Sequence, residues 1–531
     1  MGLLVTMNLR RALAASFLAV LLALAPGFGL LYGQTPARTT PRENTDSALA
    51  QFTTLLELIE DNNATAVNSE KAVQGAIDGA LRTLDPHSHY SDPKAFAKMV
   101  EDQRGRYYGL GITVTTRFGK VTVISRPFKG SPAERADLRV GDVISKVNGE
   151  PTLGMDLDTV VSKIKGPKGT TVQISIVRAG VNEPLEMSIV RDEIAKFTIN
   201  SSFLIKPSIG YIKLDSFAET SGPELKNALK SLDVASLDGL IFDLRGNPGG
   251  LLPAAIEVAE TFLQKGQSIL ETRGRSRGSN RSYVSQLVNT SNQVPLVVLV
   301  NPNSASAAEI VSGALQDHDR ALIVGETSFG KGLVQSIYAL NNKAALALTT
   351  QKWYTPSGRL IQRDYSHISQ FDYYNHRDST TQNADIKHSD LGRIVYGGGG
   401  ITPDYVVKTP KANDFQILLA NRFALFTFGR EFLGKNPKVD ASFHVSDALI
   451  ADFKQHLQKR NIDFTDKDIQ ANADYLKRMI RYEVAYNRFG ASDASRTLLD
   501  DDPQILRAIE LMPEAKTLAE KAKIAGLKPG H

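Results

Sequence analysis

Hydroxyls and one lysine, set on two sharp turns, are the groups in this chain best suited to covalent chemistry. Ser304 and Ser306 stand in Asn301–Ala308, a run of small residues after the apolar stretch Val294–Val300 and before a helix-like Glu309–Leu315. Lys331 stands in Gly325–Gly332, which follows a second apolar stretch, Ala321–Val324. Sharp turns at strand ends are where α/β folds display reactive side chains. A serine attacks a carbonyl only when a base takes its proton. None of the nine histidines falls in a recognisable triad motif. A lysine can serve instead when desolvation lowers its pKa toward neutrality, and the small residues around Lys331, with Phe329 nearby, suit the exclusion of water.

Three other motif matches compete for the chemistry. Gly274-Arg275-Ser276-Arg277-Gly278 has the spacing of a nucleophile elbow, but its neighbours are basic and polar and no apolar helix follows, as in a solvated loop. Gly325–Gly332 nearly fits a P-loop, yet Gly332 replaces the magnesium-binding hydroxyl, and a strand pattern follows where phosphate binding needs a helix N-terminus. Ser91-x-x-Lys94 has the S-x-x-K form, but Pro93 interrupts it and no S-D-N or K-T-G follows.

The elements that must hold these turns are legible in outline. From Ile194 to about Lys408 strand and helix patterns alternate: strand Ser208–Leu214, helix Glu219–Leu232, strand Leu240–Leu244, helix Ala254–Phe262, then strands Ser268–Thr272 and Val294–Val300. That alternation predicts parallel crossovers. Beyond Lys331 the pattern turns to β-strands. From Thr45 to about Gln103 the spacing predicts helices around the polar turn Leu84–Pro93, and from about Ala412 polar helices with apolar stripes at Leu449, Ile450, Phe453 and Leu457 and at Leu476, Ile480 and Val484. No chemistry attaches to that last segment, which reads as a packing or oligomerising appendage.

Length and composition bound the rest. A chain of 531 residues, 42% hydrophobic, is large enough for two to four domains. The net charge of +5 comes without a block of five like charges, so nucleic-acid binding is not predicted. With no cysteine, disulfides, thiol catalysis and thiolate zinc sites are excluded. Arg10 and Arg11 precede an uncharged run, Ala12–Leu31, which has the form of an export signal and is long enough to span a bilayer. Residues 1–33 are expected to be a cleaved signal peptide or a retained anchor, with the remainder working outside the cytoplasm, periplasmic or membrane-anchored.

Residues Tyr107 to about Asp192 resemble a PDZ domain. Gly109-Leu110-Gly111-Ile112 matches the carboxylate-binding loop and Ser131–Ile144 the module's central segment, with an Asn148-Gly149 hairpin signal after it. The resemblance implies that backbone N–H groups after Gly109 bind a peptide's terminal carboxylate, and that the peptide pairs along the strand beginning at Thr113.

More broadly, from about Leu55 to Val407 the chain closely resembles the carboxyl-terminal processing peptidases, the tail-specific proteases of peptidase family S41. The motifs come in family order: LDPHSHYSDP, the PDZ module, DLRGNPGG (Asp243–Gly250), NSASAAE, VGETSFGKGLVQ and YGGGGITPD (Tyr396–Asp404). The resemblance implies a multidomain α/β protein. Its expected parts are a linker and N-terminal helical segment (34–106), an inserted mostly-β PDZ domain (107–192), a ClpP/crotonase-like α/β peptidase core (193–410) and a C-terminal helical region (411–531). It implies a Ser–Lys dyad without metal or cofactor: Ser306 as nucleophile, Lys331 as general base 25 positions later, and Gln335 as the residue that orients the lysine. Ser304 becomes a turn residue, and Ala308 stands where the family often has serine. The backbone N–H of Ala307 is well placed to donate to an oxyanion, and Gly249 or Gly250 could supply a second donor, since glycine lets backbone approach substrate closely. Asp243 and Arg245 are read as braces of that turn. The expected partners are protein or peptide substrates with free C-termini and no nucleic acid; a homo-oligomer is left open. The alternative is a catalytically silent PDZ scaffold that keeps the peptidase fold.

Overall fold

The computed structural model describes residues 43–526 apart from 118, 288–293, 367, 376–384 and 441. The apolar run 12–31 lies outside these residues. Among those described, no helix is long and apolar enough to cross a membrane. The described chain falls into two compact units.

The first unit comprises residues up to Phe96 together with Val334–Thr350. It holds helices Glu43–Asn62 and Ser69–Arg82. Asn68 starts the second of these helices, its side chain accepting the Lys71 N–H at 2.9 Å and so satisfying one of the orphan amides of the first turn. The strand His89–Ser91 runs antiparallel to Ala345–Ala347, with His89 opposite Ala347.

The second unit contains the α/β core, the PDZ domain and the C-terminal helices. Its central sheet has six strands in the order Ile199–Lys206, Ile209–Leu214, Gly239–Asp243, Leu296–Val300, Leu322–Gly325 and Tyr405–Val406. Only the first pair is antiparallel. Every residue of Gly239–Asp243, Leu296–Val300 and Leu322–Gly325 is buried, which is why these strands read as unbroken apolar runs rather than alternating ones. Three of the four crossovers are helical, Ser221–Ser231, Leu252–Glu260 and Ala307–Asp317; the last runs through the strands Leu333–Ala339 and Ala345–Tyr354.

One face of this sheet is finished by the far end of the chain. Ile505, Ala508, Leu511, Met512 and Ala515 share a core with Tyr211, Ile241, Val297, Leu299 and Val324. The helices Pro503–Glu510 and Met512–Gly526 are thus a layer of the α/β domain, whereas Asp414–Arg488 builds a separate core around Phe428, Phe453, Leu457, Leu476 and Ile480. The region expected to be one appendage performs two packing jobs. An amphipathic stripe announces that a helix face is buried but not against what.

In the PDZ domain, Val121, Val123, Ile144, Val160, Val172, Ile174 and Ile176 form the core. Asn148 and Gly149 both take positive φ, and Val147 pairs with Glu150 across the tight turn between them. The module is closed at its base by Arg106–Gly109 pairing with Asp192–Ala195. On its outer edge Arg117 meets the C-terminal helices, its guanidinium 3.3 Å from the ring centroid of Phe426 and 4.6 Å from that of Phe423.

Candidate active site

Parallel pairing delivers both turns to the same edge of the sheet. The register between the two neighbouring strands ends with Val300 opposite Gly325, so the serine turn and the lysine turn leave side by side. They are joined at once: the Glu326 N–H donates to Val300 O at 3.1 Å and the Phe329 N–H to Ser304 O at 2.9 Å.

The two serines of the first turn have different surroundings. Ser304 is fully buried, its hydroxyl donating to Leu244 O at 2.8 Å and accepting the Asn301 N–H at 2.9 Å. Such a hydroxyl is a structural tie. Ser306 is only partly buried and heads the helix Ala307–Asp317 with φ 54° and ψ −110°. A non-glycine residue held at positive φ is costly, and such outliers cluster where a side chain must be aimed.

Glu309 organises both turns, a role the sequence reading did not give it. Its carboxylate is fully buried. Oε2 accepts the N–H of Ser306 at 2.7 Å and that of Lys331 at 2.9 Å, while Oε1 accepts the Gly330 N–H at 2.6 Å and the Ser328 hydroxyl at 2.5 Å. Burial pushes its pKa up and the four donors pull the other way, leaving it above the ordinary range. Ser328 in turn accepts the Ile401 N–H at 2.6 Å, which brings the YGGGGITPD segment under the lysine turn. The sequence signal for Glu309 was its place at N3 of a helix opened by a serine, a capping-box spacing.

The resemblance of the lysine turn to a P-loop is resolved by the same contacts. The amides of Gly330 and Lys331, which would cradle a phosphate, are engaged by an internal carboxylate. Arg275, Ser276, Arg277 and Gly278 are exposed after the strand Ser268–Gly274. Ser91 is buried in a strand opposite Ala345, while Lys94 is exposed at the start of the helix Pro93–Arg104.

The turn Asp243–Gly250 lies against the serine turn. A methyl group at Gly249 (φ +97°) would stand 2.8 Å from Ala305 O, 2.9 Å from Ser306 Cβ and 3.0 Å from Ala307 N, and one at Gly250 (φ +150°) would stand 2.0 Å from Phe217 O. Only glycine fits either position. The Gly249 N–H is engaged by Asn247 Oδ1 at 2.8 Å. Asn247, also overlooked in the sequence, is fully buried; its carbonyl accepts the Ala305 N–H at 2.9 Å and its Nδ2 donates to Leu214 O at 2.8 Å. Asp243 and Arg245 brace the turn from behind: Arg245 donates to both Asp243 oxygens and, through Nη1, to Asp502 Oδ2 at 2.7 Å and Gln504 Oε1 at 2.8 Å. Burial alone would raise the Asp243 pKa, but the Arg245 charge and hydrogen bonds hold it below the usual range.

The backbone around Lys331 rests on the single tryptophan, whose indole N–H donates to Lys331 O at 3.0 Å and whose own amide donates to Gly332 O at 2.9 Å. Phe329 packs edge-on against Tyr373 with ring centroids 5.6 Å apart. Gln335 lies in the first unit, where its side-chain Nε2 donates to His87 O. In the PDZ domain, Leu110, Gly111 and Ile112 line a small apolar cleft with Tyr107, Val114, Val161, Ile164 and Lys165. The Lys165 ammonium sits 4.5 Å from the Tyr107 ring centroid, and a methyl on Gly109 would be 3.6 Å from the Lys165 stem.

Comparison with known proteins agrees with this architecture. Residues 208–368 match the model of "Peptidase family S41" and residues 123–178 that of a PDZ domain. The chain is 40% identical over 328 residues to a "Carboxy-terminal-processing protease" of Bartonella bacilliformis, covering 61% of this chain and 75% of that one. It is 36% identical over 331 residues to "Carboxy-terminal processing protease CtpB" of Bacillus subtilis, covering 62% and 68%. To a "Carboxyl-terminal-processing protease" of Synechocystis it is 37% identical over 294 residues, covering 54% and 68%.

Proposed function

The chain belongs to peptidase family S41 as a serine-type carboxy-terminal processing protease with a PDZ domain, and from that premise we propose that Ser306 is its nucleophile, Lys331 its general base and Gln335 the residue that orients the lysine. The observation that carries the proposal is one carboxylate oxygen, Glu309 Oε2, accepting the backbone N–H of both Ser306 and Lys331. A nucleophile and a base work as a unit only when their separation is fixed, and a shared buried acceptor fixes it at the backbone.

On this reading the neutral Lys331 amine removes the Ser306 proton as Oγ adds to the scissile carbonyl. The oxyanion is met by the Ala307 N–H and by the Gly250 N–H; Gly249, whose own N–H is engaged, supplies close approach. The lysine then returns its proton to the leaving amine, and a water deacylates the serine ester with the same base. Substrates are proteins with free C-termini, read by the 109–112 loop with Lys165 adding positive charge beside it. The protein acts outside the cytoplasm, carried there by residues 1–33 as signal or anchor.

Mass spectrometry of a defined tailed substrate, offered as free acid and as C-terminal amide, tests this reading. Internal cleavage of the acid form, slower for the amide, is expected, with activity rising with pH through an apparent pKa well below the ~10.4 of a free lysine. Cleavage lost to EDTA and restored by zinc would overturn the dyad. Undiminished peptide binding with no cleavage under any condition would favour the silent scaffold.

A further inference from the structure

We infer that Asp85, in the LDPHSHYSDP segment, is a positioning residue for Gln335, acting through the backbone carbonyl of His87. The inference rests on the reading in which Gln335 orients the Lys331 amine.

Asp85 is buried and pins the turn that follows it. Oδ1 accepts the N–H of His87 and of Ser88, each at 2.8 Å, and Oδ2 accepts the Ser88 hydroxyl at 2.7 Å. The turn is also fastened to the strand Ala345–Tyr354: Thr349 Oγ1 donates to Asp85 Oδ1 at 3.1 Å, and the Thr349 N–H donates to Ser88 Oγ at 3.0 Å. So held, the turn presents the His87 carbonyl, which accepts Gln335 Nε2 from the preceding strand, Leu333–Ala339. The His89 ring nitrogen Nδ1 lies 2.8 Å from the same oxygen. A carbonyl can only accept, so that nitrogen carries the hydrogen and the His89 tautomer is fixed.

The consequence for Gln335 is one of polarity. A primary amide has a donor end and an acceptor end, and a flip exchanges them at little cost unless a neighbour discriminates. The His87 carbonyl discriminates: it holds the NH₂ end and so sends Oε1 the other way. An oxygen acceptor is what can align an N–H of a neutral amine and leave its lone pair for a serine proton. With the His87 carbonyl misplaced, Gln335 loses the contact that sets its flip, although no group touching the substrate has changed.

The test is a double-mutant cycle on the full-length protein with a defined peptide substrate. Gln335→Ala and Asp85→Ala are each expected to lower kcat about 10–100-fold, the range seen when an outer partner of a functional ligand is removed. KM should change little, and the pH profile of kcat should shift alike in both. The double variant should be no slower than Gln335→Ala alone, because the two residues act along one path. Asp85→Asn, which keeps the side chain's shape and Oδ1, guards against misfolding and should show a smaller loss that also vanishes in the Gln335→Ala background. Multiplying losses, or an Asp85→Asn or Asp85→Ala protein with a lowered melting temperature but unchanged kcat, would overturn the inference and leave the Gln335 reading standing. A Gln335→Ala protein with full kcat would sink both.

Discussion

Two glutamates, one fully buried between the candidate active-site turns and one half-buried where the PDZ domain meets the C-terminal helices, show what a protein can make of the same group. Glu309 faces four hydrogen-bond donors, three of them backbone amides that can do nothing but donate. Glu483, on the helix Ala473–Arg488, meets no hydrogen-bond donor at its carboxyl among the described residues. Burial pushes its pKa up to about 7, with the charge of Arg117 pulling the other way. Arg117 is itself incompletely satisfied: its Nε and Nη1 are buried without acceptors among the described residues. Donors aimed by backbone turn a buried carboxylate into a fixed joint. A single charge held across a domain contact leaves it open to titration.

The largest effect tests where chemistry resides in this contrast. Ser306→Ala and Lys331→Ala should each abolish peptide cleavage, a loss of ~10⁴-fold or more for a member of a nucleophile–base unit. Ser304→Ala and Glu483→Gln should retain most activity in the same assay. A Ser304→Ala protein as inactive as Ser306→Ala would move the nucleophile to the other hydroxyl.

Glu309→Gln sharpens the contrast, because it is isosteric yet cannot satisfy the site. Each carboxylate oxygen faces at least one amide N–H. Whichever end of the glutamine amide carries nitrogen therefore points donor at donor. Leaving a buried amide unsatisfied costs about 1–3 kcal/mol, so kcat/KM should fall by roughly 10–100-fold. An active Glu309→Gln protein would show that the joint is not needed for alignment.

At the other glutamate the effects fall on stability and depend on pH. Arg117→Ala removes the charge that offsets Glu483 and should destabilise by about 2–3 kcal/mol at pH 8, and by less at pH 5, where Glu483 is protonated. Equal losses at the two pH values would mean that the cost is only the lost packing on Phe423 and Phe426.

Glu483→Gln is the mildest case. The folded pKa of about 7 lies above the ordinary 4.5 of a glutamate, so the folded state binds the proton more tightly. That contribution is fully present below about pH 4.5 and is lost as pH rises through 7. The substitution should therefore stabilise at pH 8 by about 1–2 kcal/mol, after allowance for solvent screening, and do little at pH 4. Thermal melts at the two pH values check it. A stabilisation independent of pH would end the comparison.

Much of the candidate site could be proposed from the sequence because its residues are local. Ser304 and Ser306 are two positions apart on a small-residue turn, and the glycines of DLRGNPGG announce a backbone that must come close to something. The part that was not legible is pairing at a distance. Glu309 binds groups 19, 21 and 22 positions away, and nothing in its own neighbourhood distinguishes it from an ordinary helix-capping glutamate. Arg245 reaches Asp502 and Gln504 across 257 and 259 positions. The apolar stripe of the last helices was equally mute about its partner, because a stripe records the period of burial and not the identity of the surface it meets.

That long reach of Arg245 also sets an order in time. A ribosome delivers the serine turn, the lysine turn and the glycine turn well before it delivers Asp502 and Gln504. The sheet bearing all three turns keeps one face open until Ile505, Ala508, Leu511 and Met512 arrive to cover it. A chain grown only as far as these turns therefore carries the candidate catalytic residues without the brace behind the glycine turn and without the layer that covers the strands. The brace and the covering layer are thus late parts: the three turns are made first and are held from behind only once residues 502–515 have followed.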